Sequence, residues 1–215
     1  MARREMISMS VIKRLPRYYR FLNYLKADGV IRISSRELSG RMGLTASQIR
    51  QDLNCFGGFG QQGYGYNVEQ LYFEIGQILG LHHHYRAILI GAGNMGRAIA
   101  AHVDFGERGF HLVGVFDNKE SMAGQMVRGL PVRLTSGLDD FCRLNRPTVA
   151  ILCVPTEAAR ELVPALIKLG ITGFWNFTLY DISNHHPGTA VQNVHLEDSL
   201  MRLCYHVNEQ QGAEQ

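Results

Sequence analysis

The sequence predicts a two-domain α/β chain, a small basic helical domain followed by a doubly wound parallel sheet. Three observations predict it. Charge divides along the chain: residues 1–60 carry 11 Lys plus Arg against 4 Asp plus Glu, and the remainder 11 against 15. Two helix-start signatures lie eleven residues apart, Ser34 with Glu37 and Thr45 with Gln48. Further on, a glycine-rich turn links a short apolar run to a helical pattern, and strand and helix patterns alternate after it.

At 215 residues the chain exceeds one average domain and falls short of three. The expected division is 1–80 and 81–215. With 46% hydrophobic and 19% charged residues it reads as globular. No apolar stretch reaches the roughly 20 residues of a membrane span. The start, MARREMISMSVIKR, lacks the apolar run and cleavage site of a signal peptide, so a cytoplasmic location is expected. Cys55, Cys142, Cys153 and Cys204 are scattered without a Cys-x-x-Cys pair. Four reduced thiols, and no zinc ribbon, are expected.

In the first domain Leu15, Tyr19, Leu22 and Leu25 repeat at helical spacing, with Pro16 bending or restarting the helix and Asp28-Gly29 ending it. The paired capping signatures predict helices over about 35–42 and 46–56, joined at Gly43-Leu44-Thr45. That is a helix-turn-helix, whose second helix enters the major groove of DNA. On it Ile49 and Leu53 face a core, while Ser47, Gln48, Arg50, Gln51 and Asn54 offer donors and acceptors for bases and phosphates. Asp52 would be repelled by phosphates unless turned away or paired with an arginine. The following FGGFGQQGYGYN reads as a tight hairpin, a wing. Candidate DNA contacts are those five residues, Ser34, Ser35 and Thr45 at the helix starts, Arg14 and Arg17 before them, and Phe59, Gln61 and Tyr64 on the wing. A basic module suits phosphate contacts. Asn67 with Gln70 opens a helix to about Leu79, expected to bridge the domains. His82, His83 and His84 lack partners at metal-ligand spacing and read as linker, so no metal is expected.

The second domain opens with AILIGAGNMGRAIA. Gly91-x-Gly93-x-x-Gly96 follows an apolar strand and leads into a helix, the context of a dinucleotide fingerprint. Gly91 allows the tight turn, Gly93 close approach to pyrophosphate, and Gly96 close helix packing, with Ala92, Asn94 and Met95 supplying amides. A second strand, 111–116, ends in Asp117, 21 residues beyond Gly96, where a carboxylate accepts from ribose hydroxyls and disfavours a 2′-phosphate. NAD(H) is therefore preferred over NADP(H). Strand 149–154, helix 158–169 and strand 173–177 continue the alternation. Val154, Pro155, Thr156, Asn176 and Phe177 sit at strand ends and join the candidate cofactor contacts. A last helix, 197–207, carries an apolar stripe that calls for a partner, most economically a second copy.

The sequence resembles the Rex redox-sensing repressors over nearly its whole length. The stretches RLPRYYRFL, ISSRELSGRMGLTASQIRQDL, FGGFGQQGYGYNVEQL, IGAGNMGRAIA, GFHLVGVFD, VPTEAA and GITGFWNF carry the resemblance. It implies a homodimer with a swapped C-terminal helix, binding to an AT-rich inverted-repeat operator, release of DNA on NADH, and competition by NAD+. It also implies that Arg20 pairs in one dimer conformation with an acidic residue at the position of His195. The chain departs from the family pattern at several places. Cys55 replaces an aromatic, Gly58 a Glu, and Gln61-Gln62 basic wing residues. Thr178-Leu179-Tyr180 replaces Ala-Pro-Val, and His102 and His195 replace a Tyr and an Asp of the switch. A neutral imidazole cannot reproduce the ion pair, so a weaker NADH effect than in relatives is expected. Two other readings stay open: a repressor answering another adenine nucleotide such as coenzyme A, and an NAD-dependent oxidoreductase. For the latter no catalytic set or substrate domain is recognisable, and no enzyme activity is expected.

Overall fold

The computed structural model describes residues 7–57, 60–61 and 64–212. The chain separates into two compact units, Met1–His82 and His83–Gln215.

The first unit begins with α1 (Met9–Ala27), followed by β1 (Arg32–Ile33), α2 (Ser35–Met42) and α3 (Ala46–Asn54). Then come β2 (Gly60–Gln61), β3 (Gly65–Asn67) and α4 (Val68–Ile78). Leu15, Tyr18, Leu22, Leu38, Ile49, Leu53, Leu71 and Ile75 meet in one core. α1 runs unbroken through Pro16. The expected break fails because Leu15, Tyr18, Tyr19 and Leu22 on both sides of the proline are buried, and that packing outweighs one missing helix hydrogen bond. At the start of α2, Ser34 Oγ accepts from Glu37 N at 3.1 Å and Glu37 accepts from Ser34 N at 2.8 Å. This is the complete capping box that the sequence predicts. Gly43 closes α2 in the left-handed region at φ 61°. The second box forms by half: Thr45 accepts from Gln48 N, but the Gln48 amide turns to Asp52 at 2.8 Å. The three strands pair antiparallel in the order β1-β3-β2, with β2 and β3 making the wing hairpin. The unit is therefore a winged helix-turn-helix. α4, expected as a bridge, packs on α1 within the first unit, where Tyr72 stacks on Tyr19 with ring centroids 4.2 Å apart.

The second unit runs β4 (Tyr85–Ile90), α5 (Asn94–His102), β5 (Phe110–Asp117), β6 (Met126–Val127), β7 (Leu130–Leu134) and α6 (Leu138–Asn145). It continues with β8 (Val149–Leu152), α7 (Thr156–Lys168), β9 (Gly173–Asn176), α8 (Ile182–His185), β10 (Ala190–Asn193) and α9 (Leu196–Gly212). The sheet order is β10-β9-β8-β4-β5-β7-β6, parallel throughout except that β6 pairs antiparallel with β7. Residues 87–90 are wholly buried because both faces of β4 are covered: Ile88 and Ile90 join one core, Ala87 and Leu89 the other. From β4 the chain winds one way through β5 and β7, then returns through β8, β9 and β10. The order reverses between β4 and β8, and a ligand crevice belongs there, at the carboxyl ends. α9 leaves Leu200, Met201, Leu203 and Tyr205 exposed.

One buried charge joins α1 to α3. Asp52 is fully buried, and Arg14 grips it through Nε at 2.6 Å and Nη2 at 2.7 Å. Tyr18 Oη donates to it at 2.9 Å, and Gln48 completes the set. Burial works to raise the Asp52 pKa, but the three donors and the Arg14 charge together hold it below the ordinary carboxylate value. Asp52→Ala strands these donors and costs about 3 kcal/mol, measured by urea unfolding of the full chain at neutral pH. Because the folded pKa is depressed, this contribution is complete above about pH 4 and lost as pH falls through the folded value. The gap between wild type and variant therefore narrows on acidification, and a gap that stays constant down to about pH 2 contradicts the assignment.

Candidate nucleotide cleft and nucleic-acid interface

α3 has two faces. Ile49, Asp52 and Leu53 point into the domain, and Ser47, Arg50, Gln51 and Asn54 are exposed together. Arg50 Nη1 donates to Ser35 Oγ at 3.0 Å, which holds the guanidinium beside the start of α2. Three expected DNA contacts are otherwise engaged. Arg14 and Gln48 are turned to Asp52, and Arg17 donates to the Met42 carbonyl. A buried carboxylate is the strongest acceptor nearby, so it claims donors that the helical pattern alone places outward. Ser34 and Thr45 serve as helix caps. Tyr64 stands exposed beside the hairpin, and Arg32 lies 5.9 Å over its ring while donating to its carbonyl. Arg32 is absent from the sequence expectations, although it belongs to the basic excess of the domain. Gly58, Phe59 and Gln62 lie outside the described residues, and of Gln61 only the backbone is described.

The cleft at the reversal of strand order has a volume of about 460 Å³, and Gly91, Gly93, Asp117, Val154 and Pro155 line it. Its geometry follows from glycine. A Cβ at Gly91 would meet the Cys153 carbonyl oxygen at 2.2 Å, and one at Gly96 would meet the Gly91 oxygen at 1.9 Å. At Gly93 nothing lies within 4 Å, so the turn presents open backbone to the cleft. Gly93 is the N-cap of α5 and no side chain caps the helix, which leaves the first-turn amides for an anion. Asn94 and Met95 are exposed in that turn, whereas Ala92 and Gly96 are buried behind it. Asp117 lines the cleft beside the turn. Its Oδ2 accepts from Ala92 N at 2.8 Å and its Oδ1 from Lys119 N at 3.0 Å, tying the glycine turn to the end of β5. Each carboxylate oxygen keeps a further lone pair for a ligand. Turn, helix end and carboxylate fit a dinucleotide.

Two cations near this site escaped the sequence reading. Arg97 Nε donates to the Ala92 carbonyl at 2.9 Å and so holds the glycine turn from the α5 side. Lys119 lines the cleft directly. Cys153 also lines it, but burial pushes its thiol up to about 12, so it stays protonated at neutral pH.

Asn176 differs from expectation. Its amide nitrogen donates to the Tyr180 carbonyl at 3.0 Å and to Asn193 Oδ1 at 2.9 Å. Its oxygen accepts from Thr178 N at 3.1 Å and Thr178 Oγ1 at 2.8 Å. The amide is fully used inside the protein, so Asn176 positions the turn after β9 and has no donor left for a cofactor. Phe177 packs against Trp175 at 4.9 Å, and neither it nor Thr156 lines the cleft. Thr178 and Tyr180 are buried, Leu179 is exposed, and Tyr180 stacks on His185. His102 is exposed at the end of α5, and His195 Nδ1 lies 3.8 Å from Asp198. Arg20 is exposed on α1.

A larger cleft, about 550 Å³, lies at the amino ends of β4 and β5. Its arginines are engaged locally, Arg86 with Asn145 and Arg128 with the carbonyls of Ala100 and Val103. It lies away from the glycine turn, so chemistry favours the smaller cleft over size. Among the described residues no group of three His, Cys, Asp or Glu is placed to hold a metal, and no helix is long and apolar enough to cross a membrane.

Two family models match successive parts of the chain. The family described as Putative DNA-binding protein N-terminus matches residues 6–54, and that described as CoA binding domain matches residues 82–180. The chain is 47% identical over 211 residues to the redox-sensing transcriptional repressor Rex of Thermoanaerobacter sp. (strain X514), covering 98% of this chain and 94% of that protein. It is 48% identical over 208 residues to the repressor of the same name from Clostridium perfringens (strain SM101 / Type A), covering 97% and 98%. Among solved structures, RSP in complex with NAD+ and operator DNA matches with TM-score 0.89 at 47% identity, covering 98% of this chain and 96% of that one. RSP in complex with NADH matches with TM-score 0.87 at 43% identity, covering 98% of both chains. Identity of this order along the whole chain, with both units matched in sequence order, places the protein in the Rex family of redox-sensing transcriptional repressors.

Proposed function

We propose that this chain is a DNA-binding transcriptional repressor that senses the NADH to NAD+ ratio in the cytoplasm. It binds an AT-rich inverted-repeat operator as a homodimer and leaves it when NADH is bound. The observation that carries the reading is the pairing, in one chain, of an outward polar face on α3 with a glycine-built cleft closed by Asp117. Full-length similarity to a protein solved with operator DNA and with both redox forms of the cofactor supports it. The exposed apolar residues of α9 supply the surface for a second copy, in keeping with a swapped helix.

Asp117 favours NAD(H) among adenine nucleotides. Its carboxylate accepts from ribose hydroxyls, but it repels the 2′-phosphate of NADPH and the 3′-phosphate of coenzyme A. The pyrophosphate rests on the N-terminal amides of α5, and Arg97 keeps the turn in register. When bound, the nicotinamide supplies the redox difference that the protein reads. In the DNA-bound state Ser47, Arg50, Gln51 and Asn54 face the major groove, with Tyr64 and Arg32 beside the wing.

Calorimetry with NADH, NAD+, NADPH and coenzyme A tests the cleft. NADH binds more tightly than NADPH or coenzyme A, and Asp117→Ala weakens NADH by about 1 to 3 kcal/mol; an unchanged affinity, or a wild-type preference for NADPH, counts against the assignment. Arg50→Ala loses at least about 1 kcal/mol of operator affinity in a gel shift. A folded Arg50→Ala protein that shifts operator normally removes α3 as the reader.

A further inference from the structure

One end of the cleft has no role in the reading above. Past Asp117 its wall passes to Thr135, just beyond β7, and to the start of α7, where Ala158, Glu161 and Leu162 face it. Spacings of three and four residues put these side chains on one side of the helix. Ala158 and Leu162 are half-buried and apolar. Glu161 is exposed, and its carboxylate makes no hydrogen bond or ion pair with the described residues.

A nucleotide with its phosphates at the α5 N-terminus and its ribose on Asp117 has its base in this remaining part of the cleft. Ala158 and Leu162 offer apolar walls to a flat aromatic ring, and Glu161 brings an unpaired carboxylate, a group that accepts hydrogen bonds. Adenine carries an amino group at position 6, a donor. Hypoxanthine and guanine carry a carbonyl oxygen at the same position, which a carboxylate repels. Resting on the dinucleotide reading of this cleft, we infer that Glu161 determines base specificity by accepting a hydrogen bond from the 6-amino group of adenine, in the slot formed with Ala158 and Leu162. Asp117 selects at the ribose and Glu161 at the base, from two different elements.

The test compares NADH with reduced nicotinamide hypoxanthine dinucleotide, which differs by replacement of the 6-amino group with oxygen. Trp175, the single tryptophan of the sequence, reports binding of either by energy transfer to the shared dihydronicotinamide. Wild-type full-length protein binds NADH about 10-fold more tightly than the hypoxanthine analogue, the scale of one hydrogen bond to a charged group. Glu161→Gln, whose amide can donate to a carbonyl, brings the ratio close to one or inverts it, and Glu161→Ala flattens it. The NADH to NADPH preference, set by Asp117, stays unchanged in both variants. Equal affinities in wild type, or a ratio that neither substitution moves, overturns the role of Glu161 and leaves the cofactor reading standing. If neither dinucleotide binds, the cofactor reading falls and this assignment with it.

Discussion

A backbone carbonyl sits where the side chain of any residue other than glycine at position 96 would begin: a Cβ there would lie 1.9 Å from the Gly91 oxygen. That contact sets how close α5 comes to the end of β4, and the cleft depends on it. With the helix seated, its uncapped amides face the crevice, and the Gly91 amide donates to the Phe116 carbonyl at 2.8 Å. β5 is thereby drawn alongside, and Asp117 arrives where it holds Ala92 and lines the cleft. Gly91, at φ 98° and against the Cys153 carbonyl, adds the same constraint from β8. The open end of α5 and the carboxylate beside it are consequences of one close approach between backbones.

The first unit rests on a constraint of another kind. A carboxylate buried under α3 could have been an apolar side chain, and burial of an ion pair is weak evidence for stability in itself. What Asp52 supplies is direction. Its three donor side chains come from α1 and from α3 itself, so the rotation of α3 about its axis is specified by hydrogen bonds as well as by the packing of Ile49 and Leu53. The polar face of α3, with Arg50 anchored on Ser35, is thereby held in one orientation.

Much of this was legible in the sequence because it rests on local rules. The Ser34-Glu37 box, the Asn67 cap and the glycine fingerprint are short-range patterns, and the structure reproduces all three. The features that escaped depend on distant partners. Gln48 carries the sequence of a capping box, yet its amide goes to a buried charge that also draws on Arg14, 38 positions from Asp52. Asn176 sits at a strand end where a ligand contact is expected, and Thr178, Tyr180 and Asn193 consume its amide. β6 and β7 are too short, and Pro131 too discouraging, to signal a strand pair; Gly129, at φ 77°, turns one into the other. β10 is a four-residue strand at the sheet edge with little burial, so it carries no apolar alternation to read.

The two units become a switch only if occupation of the cleft changes what α3 does. The most direct test of a redox-governed switch is operator affinity at fixed salt, titrated with and without saturating NADH and with saturating NAD+. NADH is expected to weaken operator binding and NAD+ to leave it unchanged, with a change near the low end of allosteric coupling, roughly fivefold. Identical operator affinity in all three conditions would contradict it.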